Sequence, residues 1–509
     1  MIHRLTFQLA IFIGAVRVPV WPAIVRARYG PGAGLGIPCT GAARRCASTP
    51  TERRPMRFPT MPLVATLLAL GLPAAPASAD DGALLIRNGH VLTMDPGTGD
   101  LARADVLVRG GRIVAVGPDL DADDARVIDA EGAYVLPGFV DTHSHLYTTT
   151  MRGQFRNADG EYFDTAERLA PSMTPDDVRI AMHVGALELL DGGITTTGDF
   201  FDNVRTPAHG EAGLQALHAA GIRAVLFYGG PDKSTRHPID VAHLAQLAAT
   251  RDEDARVQLG LAWRLPRDRS DEANWAMRMH ERDTARALGL PVQVHVSVEP
   301  GPIFDALIAR NLLSPDLSLV HATDATATQL QALEKAGGAL SLTPISEHRV
   351  GYGPTRIDHF AAVHRQGLGI DGNALAGRGD MFATLRLAAL TWSGEARDET
   401  VVDPRALLEL ATRRGADALG LGDVTGTLTP GKRADLQVIA ADTLQMAGFG
   451  GGDPAALLVY SASPADVRTV VVDGVVVKHD GALVEADLPQ LRDAARRSAQ
   501  GLLQRAPAR

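Results

Sequence analysis

Pro137-Gly-Phe-Val-Asp-Thr-His-Ser-His-Leu146 is the stretch whose reading decides the fold. The apolar run from Ala133 to Val140 enters it as a buried β-strand, and that strand ends in Asp141, His143 and His145. Side chains alternate along a strand, so residues two apart share a face. His143 and His145 are therefore expected to aim their imidazoles at one point. Two neutral imidazoles converging at a strand end suit a borderline-soft divalent metal: Zn first, with Fe or Mn as alternatives.

Outward from this point the pattern has three parts. Upstream, from Gly82 to Leu136, short alternating runs are separated by turns, with Gly110-Gly111 as a hairpin turn. The same texture returns near the C-terminus, in Ala434–Ala440 and in Val467–Lys478 around Gly474. Between them strands and helices alternate. After the first strand, further strands are expected at Gly193–Phe200, Ile222–Tyr228, Val257–Trp263, Pro291–Ser297, Leu317–His321, Ala339–Thr343 and Gly367–Asp371. Helical periodicity falls in the gaps, at Thr174–Leu190, Asn274–Leu288, Ala325–Ala336 and Met381–Leu390. This is the count of a (β/α)8 barrel, flanked by a small β-sandwich built from both ends of the chain. The expected boundaries are 80–136 and 426–485 for the sandwich, 137–425 for the barrel, and 486–509 for a C-terminal helix or tail.

A parallel barrel presents the C-terminal ends of its strands at one mouth. Polar residues at those ends form a short list: His295 in VQVHVS, His321 in SLVHAT and Asp371 in LGIDGN. With His143 and His145 this gives four imidazoles and a carboxylate. Three histidines plus Asp371 would hold one divalent ion and leave a position for water, whose pKa such an ion lowers to roughly 7. Asp371 is expected to take the proton and later hand it to a leaving amine. His321 is better placed to hydrogen-bond the substrate as the attacked carbon becomes tetrahedral.

The remaining chain adds context. At 509 residues, 45% hydrophobic and 21% charged, the composition is that of a globular protein. Residues 56–79 run from a basic start through an apolar stretch to Ala77-Ser-Ala79, the order of a secretory signal peptide cleaved before Asp80. A leader beginning at an internal Met56 suggests that residues 1–55 are an upstream artefact. The expected location is secreted or periplasmic. Residues 1–79 hold nine arginines and one acid, so the rest carries net charge −17 against −9 for the whole chain. An acidic body without a basic stripe argues against nucleic acid or, after cleavage, a membrane as partner, and for a small-molecule substrate. Self-association into a homo-oligomer stays open. Both cysteines, Cys39 and Cys46, precede the body, which therefore has none.

These motifs together resemble the amidohydrolase superfamily, in particular its cytosine deaminase, S-adenosylhomocysteine deaminase and chlorohydrolase-like group. PGFVDTHSHL, ELLDGGITTTGD, PVQVHVS, LVHATD, TPISEHRVGYG, GIDGNALAGRGDMFATLRLAAL and GTLTPGKRADLQVI carry the likeness across most of residues 82–482. The resemblance implies a barrel with a β-sandwich, one metal, and hydrolysis of non-peptide C–N bonds, with a deaminase of nitrogen-rich heterocycles as the leading reading. It implies metal binding by His143, His145, His295 and Asp371, and substrate contact by His321. Binuclear relatives need a carboxylated lysine on the fourth strand, but the lysines here are Lys233, Lys335, Lys432 and Lys478. One metal is expected.

One departure stands out. Deaminases of the group carry H-x-x-E on the fifth strand, whereas this chain reads His295-Val-Ser-Val-Glu299. A one-residue slip turns a strand side chain to the other face. Either a bulge returns Glu299 to the site as a proton carrier or the enzyme works without it, which keeps an imidazolonepropionase-like amide hydrolase as the alternative. A metal-retaining, non-catalytic binding protein is the third reading. Glu347 and His348 after the seventh strand, and Trp263 and Arg264 after the fourth, are expected substrate contacts. Asp380 is expected to cap a helix.

Overall fold

Five strands precede the histidine pair: β1 (Ala83–Leu92), β2 (Asp100–Arg109), β3 (Arg112–Gly117), β4 (Ala125–Asp129) and β5 (Ala133–Pro137). A separate strand, β6 (Phe139–Ser144), then carries His143. The apolar run expected to be one strand is thus two, and they lie in different sheets. Gly138 is the crossing. Its N–H donates to Asp435 O at 3.0 Å, and a Cβ there would lie 2.1 Å from the Thr195 side chain. Only glycine lets the two sheets approach this closely.

The computed structural model describes residues 82–156, 160–231, 237–250, 255–297, 303–484 and 486–508. The leader expected at 1–79 lies outside the described residues, as does Glu299. Among the described residues no helix is long and apolar enough to cross a membrane.

After β6 the barrel continues with β7 (Ile194–Phe201), β8 (Arg223–Tyr228), β9 (Val257–Ala262), β10 (Val292–Val296), β11 (Leu317–His321), β12 (Ala339–Leu342) and β13 (Gln366–Leu368). These pair in parallel and in chain order. The ends of the ladder meet where Ile370 N and Asp371 N both donate to His143 O, at 3.1 and 2.8 Å. The last strand is shorter than its sequence pattern suggests. Asp371 takes φ +58° and Gly372 φ +92°, so the chain turns out of the sheet at the rim.

Local chemistry explains the helices. Thr174 and Asp177 form a capping box at Pro175–Asp191, and Thr326 with Gln329 does the same at Ala327–Lys335. Asp380 caps Met381–Ala396, its carboxylate accepting from Ala383 N at 3.0 Å, as expected. Val140, Phe200, Val225, Phe227 and Ala262 form one apolar cluster with Ala416, Leu419 and Leu421, which follow the last barrel strand.

The second sheet completes itself with β14 (Leu436–Ala440), β15 (Val467–Val472), β16 (Val475–His479) and β17 (Ala482–Leu483), in the order β17-β16-β15-β14-β5-β1-β2-β3 with β4 on β1. Both chain ends therefore share one core, Ile86 and Val106 packing with Leu436, Val438 and Val471. Buried Arg223, at the start of β8, ties this unit to the barrel through Asp435, with Nε to Oδ2 at 2.6 Å and Nη2 to Oδ1 at 3.1 Å.

Candidate metal centre and active site

His143, His145, His295 and Asp371 come together, each offering one ligand atom within 4.8 Å of the others. Three barrel strands, β6, β10 and the end of β13, supply them. The rings are aimed by partners behind them. His143 Nδ1 lies 2.7 Å from Gln293 Oε1, and His145 Nδ1 lies 3.1 Å from Asp202 Oδ1. Each Nδ1 therefore carries its hydrogen toward an acceptor, which turns the Nε2 lone pair inward.

Those lone pairs face other acceptors. His145 Nε2 is 3.3 Å from His295 Nε2 and 3.4 Å from Asp371 Oδ1, and His143 Nε2 is 3.2 Å from that same oxygen. Acceptors so placed repel unless a cation sits among them. The donor set, three imidazole nitrogens and one carboxylate, fits a single divalent ion of the zinc type. Burial pushes the His143 imidazole down to about 4 and His295 well below its ordinary value, which keeps both as neutral ligands. At His145 burial also lowers the value, but the Asp202 carboxylate outweighs it and raises it to about 9, so a cation displaces a proton there.

The floor of the site is Phe200, whose ring centroid lies 4.4 Å from that of His295 and 5.5 Å from those of His143 and His145. Arg264 sits over the same ring at 5.0 Å and donates to Asp202 Oδ2, so it does stand at the mouth. Asp202 thus links Arg264 to His145. His321 adopts φ +71°, a strained value for a non-glycine residue, at the rim of the barrel. Its ring packs 5.4 Å from His295 and 5.4 Å from Tyr352. A cavity of about 670 Å³ adjoins the cluster on the β7–β8 side, lined by Tyr147, Asp202, Asn203, Arg205, Tyr228 and His237 among others. It lies beside the four ligands rather than over them.

Three expected substrate contacts are placed elsewhere. Trp263 is fully buried, donates from Nε1 to Arg278 O at 2.9 Å and lies under the Arg282 guanidinium. It shares its face with Leu259 and Leu261 and points at the helix ring, while Arg264, one residue on, takes the barrel face. His348 has Nδ1 2.7 Å from Pro344 O and Nε2 3.2 Å from Thr391 Oγ1, so both nitrogens are taken by helices. Glu347 is fully buried behind His321 rather than open to the mouth. The sequence reading missed Gln293, Asp202 and Phe200. Gln293 is a polar residue two before His295 in an otherwise apolar strand, and that was the available signal.

The sequence pattern of the amidohydrolase family matches residues 134–477, more than half of the chain. The chain belongs to the amidohydrolase family. This amidohydrolase is 30% identical over 455 residues to the 5-methylthioadenosine/S-adenosylhomocysteine deaminase of Haloarcula marismortui, covering 83% of this chain and 99% of that one. It is 25% identical over 441 residues to the 5'-deoxyadenosine deaminase of Methanobrevibacter smithii, covering 83% and 98%. Among solved structures it resembles zinc-complexed atrazine chlorohydrolase from Arthrobacter aurescens, with a TM-score of 0.71 and 26% identity over 82% of this chain and 100% of that chain. The amidohydrolase is a metal-dependent hydrolase acting on carbon–nitrogen bonds, and it takes one divalent ion.

Proposed function

We propose that this amidohydrolase is a deaminase that hydrolyses the exocyclic C–N bond of an adenosine-like heterocycle, with zinc as its ion. The convergence of three Nε2 lone pairs and one carboxylate at a barrel mouth carries the reading, and the names of the curated relatives supply the substrate class. The ion, when bound, would supply an acidified water near neutral pH. His143, His145, His295 and Asp371 would hold it. Asp371 takes a proton from the attacking water, its carboxylate standing at the rim beside two imidazoles. His321 hydrogen-bonds the substrate at the carbon that becomes tetrahedral. Arg264 and Tyr147 border the site, and the adjoining cavity has room for the rest of a nucleoside.

The purified protein should contain about one equivalent of zinc and release ammonia from 5'-deoxyadenosine or a related 6-aminopurine nucleoside, and His143→Ala should lose the metal. Absence of metal would remove the reading. The Glu299 slip favours a second reading, a cyclic-amide hydrolase, which requires hydrolysis of lactams and no ammonia from aminopurines. Glu299→Gln with unchanged turnover would leave Glu299 without a catalytic role. Export rests on the leader pattern at 56–79 alone, and an N-terminus at Asp80 in the exported protein would support it.

A further inference from the structure

Arg205 lies on the wall of the cavity beside the four ligands, on the loop that leaves β7. It follows Asp202 by three residues, so at most about 10–11 Å of chain separates it from the carboxylate that holds His145. The loop is fixed from two sides. Val204 N donates to Gly229 O at 3.0 Å, and buried Asn203 donates from Nδ2 to Ala170 O at 3.0 Å. Asn203 also orients the arginine, since its Oδ1 accepts from Arg205 Nε at 2.8 Å. That bond uses one of the five guanidinium N–H groups. The other four, on the two Nη atoms, have no partner among the described residues.

The acids of the cavity do not supply one. Asp202 has its two oxygens on His145 and Arg264. Asp240 caps a helix, its Oδ1 accepting from His243 N at 2.9 Å. Glu167, on the same wall, makes no ion pair with Arg205. Residues 80–509 carry net charge −17, so acids are plentiful, and an arginine left without one beside the metal centre stands apart. A planar guanidinium matches a carboxylate or a phosphate with two parallel hydrogen bonds. Because Nε is already held by a buried amide, less side-chain freedom is lost when such an anion arrives.

We infer that Arg205 is a specificity-determining residue that binds an anionic group of the substrate, a carboxylate or a phosphate at the end remote from the reacting amine. The inference rests on the deaminase reading above. With the heterocycle at the metal centre, the sugar and its 5' substituent occupy the adjoining cavity, and an anion carried there meets the two Nη groups. A substrate with an uncharged 5' end leaves Arg205 without a role.

Three 6-aminopurine substrates test this by ammonia release: 5'-deoxyadenosine, which is uncharged; adenosine 5'-monophosphate, which carries a phosphate; and S-adenosylhomocysteine, which carries a carboxylate. The unaltered protein should show kcat/KM at least about tenfold higher on one of the two anionic substrates than on 5'-deoxyadenosine. Whichever is preferred identifies the anion. Arg205→Met keeps the apolar stem and removes the fork. KM on the preferred anionic substrate should then rise by about 10- to 100-fold, the weight of charged hydrogen bonds, while KM on 5'-deoxyadenosine stays within about twofold and zinc content is unchanged. Arg205→Lys, which keeps the charge without the fork, should fall between the two. No preference for either anion, or an equal rise in KM on all three substrates, overturns the inference and leaves the deaminase reading standing. If the unaltered protein releases ammonia from none of the three, the deaminase reading itself fails and the inference with it. Should Arg205→Met not fold, Arg205→Gln is held to the same contrast between charged and uncharged substrates.

Discussion

Replacing Gln293 by leucine should weaken the metal site without touching a ligand. Gln293 is fully buried on β10 and makes two bonds into β6: its Oε1 faces His143 Nδ1 at 2.7 Å, and its Nε2 donates to Thr142 O at 3.1 Å. Leucine matches its bulk but strands the Nδ1–H and the Thr142 carbonyl in the buried barrel interior. Each orphaned group costs about 1–3 kcal/mol. The ring of His143 is also freed to turn, and loss of such an outer partner lowers metal affinity by about 10–100-fold, which is about 1.4–2.7 kcal/mol. Competition against a zinc chelator measures the affinity, and melting with and without excess zinc separates it from general stability. Gln293→Glu is the companion: it keeps the acceptor for His143 but sets a carboxylate against Thr142 O. It should retain zinc while losing stability. If Gln293→Leu binds zinc within about threefold of the unaltered protein, Gln293 does not orient His143.

Other expectations follow from the same contacts. Asp435→Ala leaves buried Arg223 with only Asp473 at 3.3 Å, and should cost about 3–5 kcal/mol in urea unfolding, toward the lower end because of that remaining acid. A loss below about 0.5 kcal/mol would mean the pair does not join the two units. Trp263→Phe removes the bond to Arg278 O, so the melting temperature should drop while KM is unchanged; an altered KM would put the ring back at the mouth. Half-buried His183 is held below the ordinary value of 6.5 by burial, with Arg179 adding to it. Below about pH 6.5 the unfolded chain binds a proton that the folded chain resists, so its contribution to stability is lost as pH falls. Exchanging His183 for glutamine should lessen the drop in melting temperature between about pH 7 and about pH 5, and an unchanged drop would refute the assignment.

What the sequence alone determined is what depends on neighbours along the chain. Strand alternation placed His143, His145, His295 and Asp371 at strand ends, the glycines at 110–111 and 474 marked turns with positive φ, and Asp380 announced its helix. Each follows from backbone geometry within a few residues. The break at Gly138, the outward turn of Trp263, and the partners Gln293, Asp202 and Glu347 were decided only in three dimensions. His143 and Gln293 are 150 positions apart, and whether they touch depends on how β6 and β10 sit across the barrel, a property of closure rather than of either strand. Buried polar groups must find partners wherever packing puts them. A ligand's identity is therefore written locally, while the atom that aims it is set by the assembled fold.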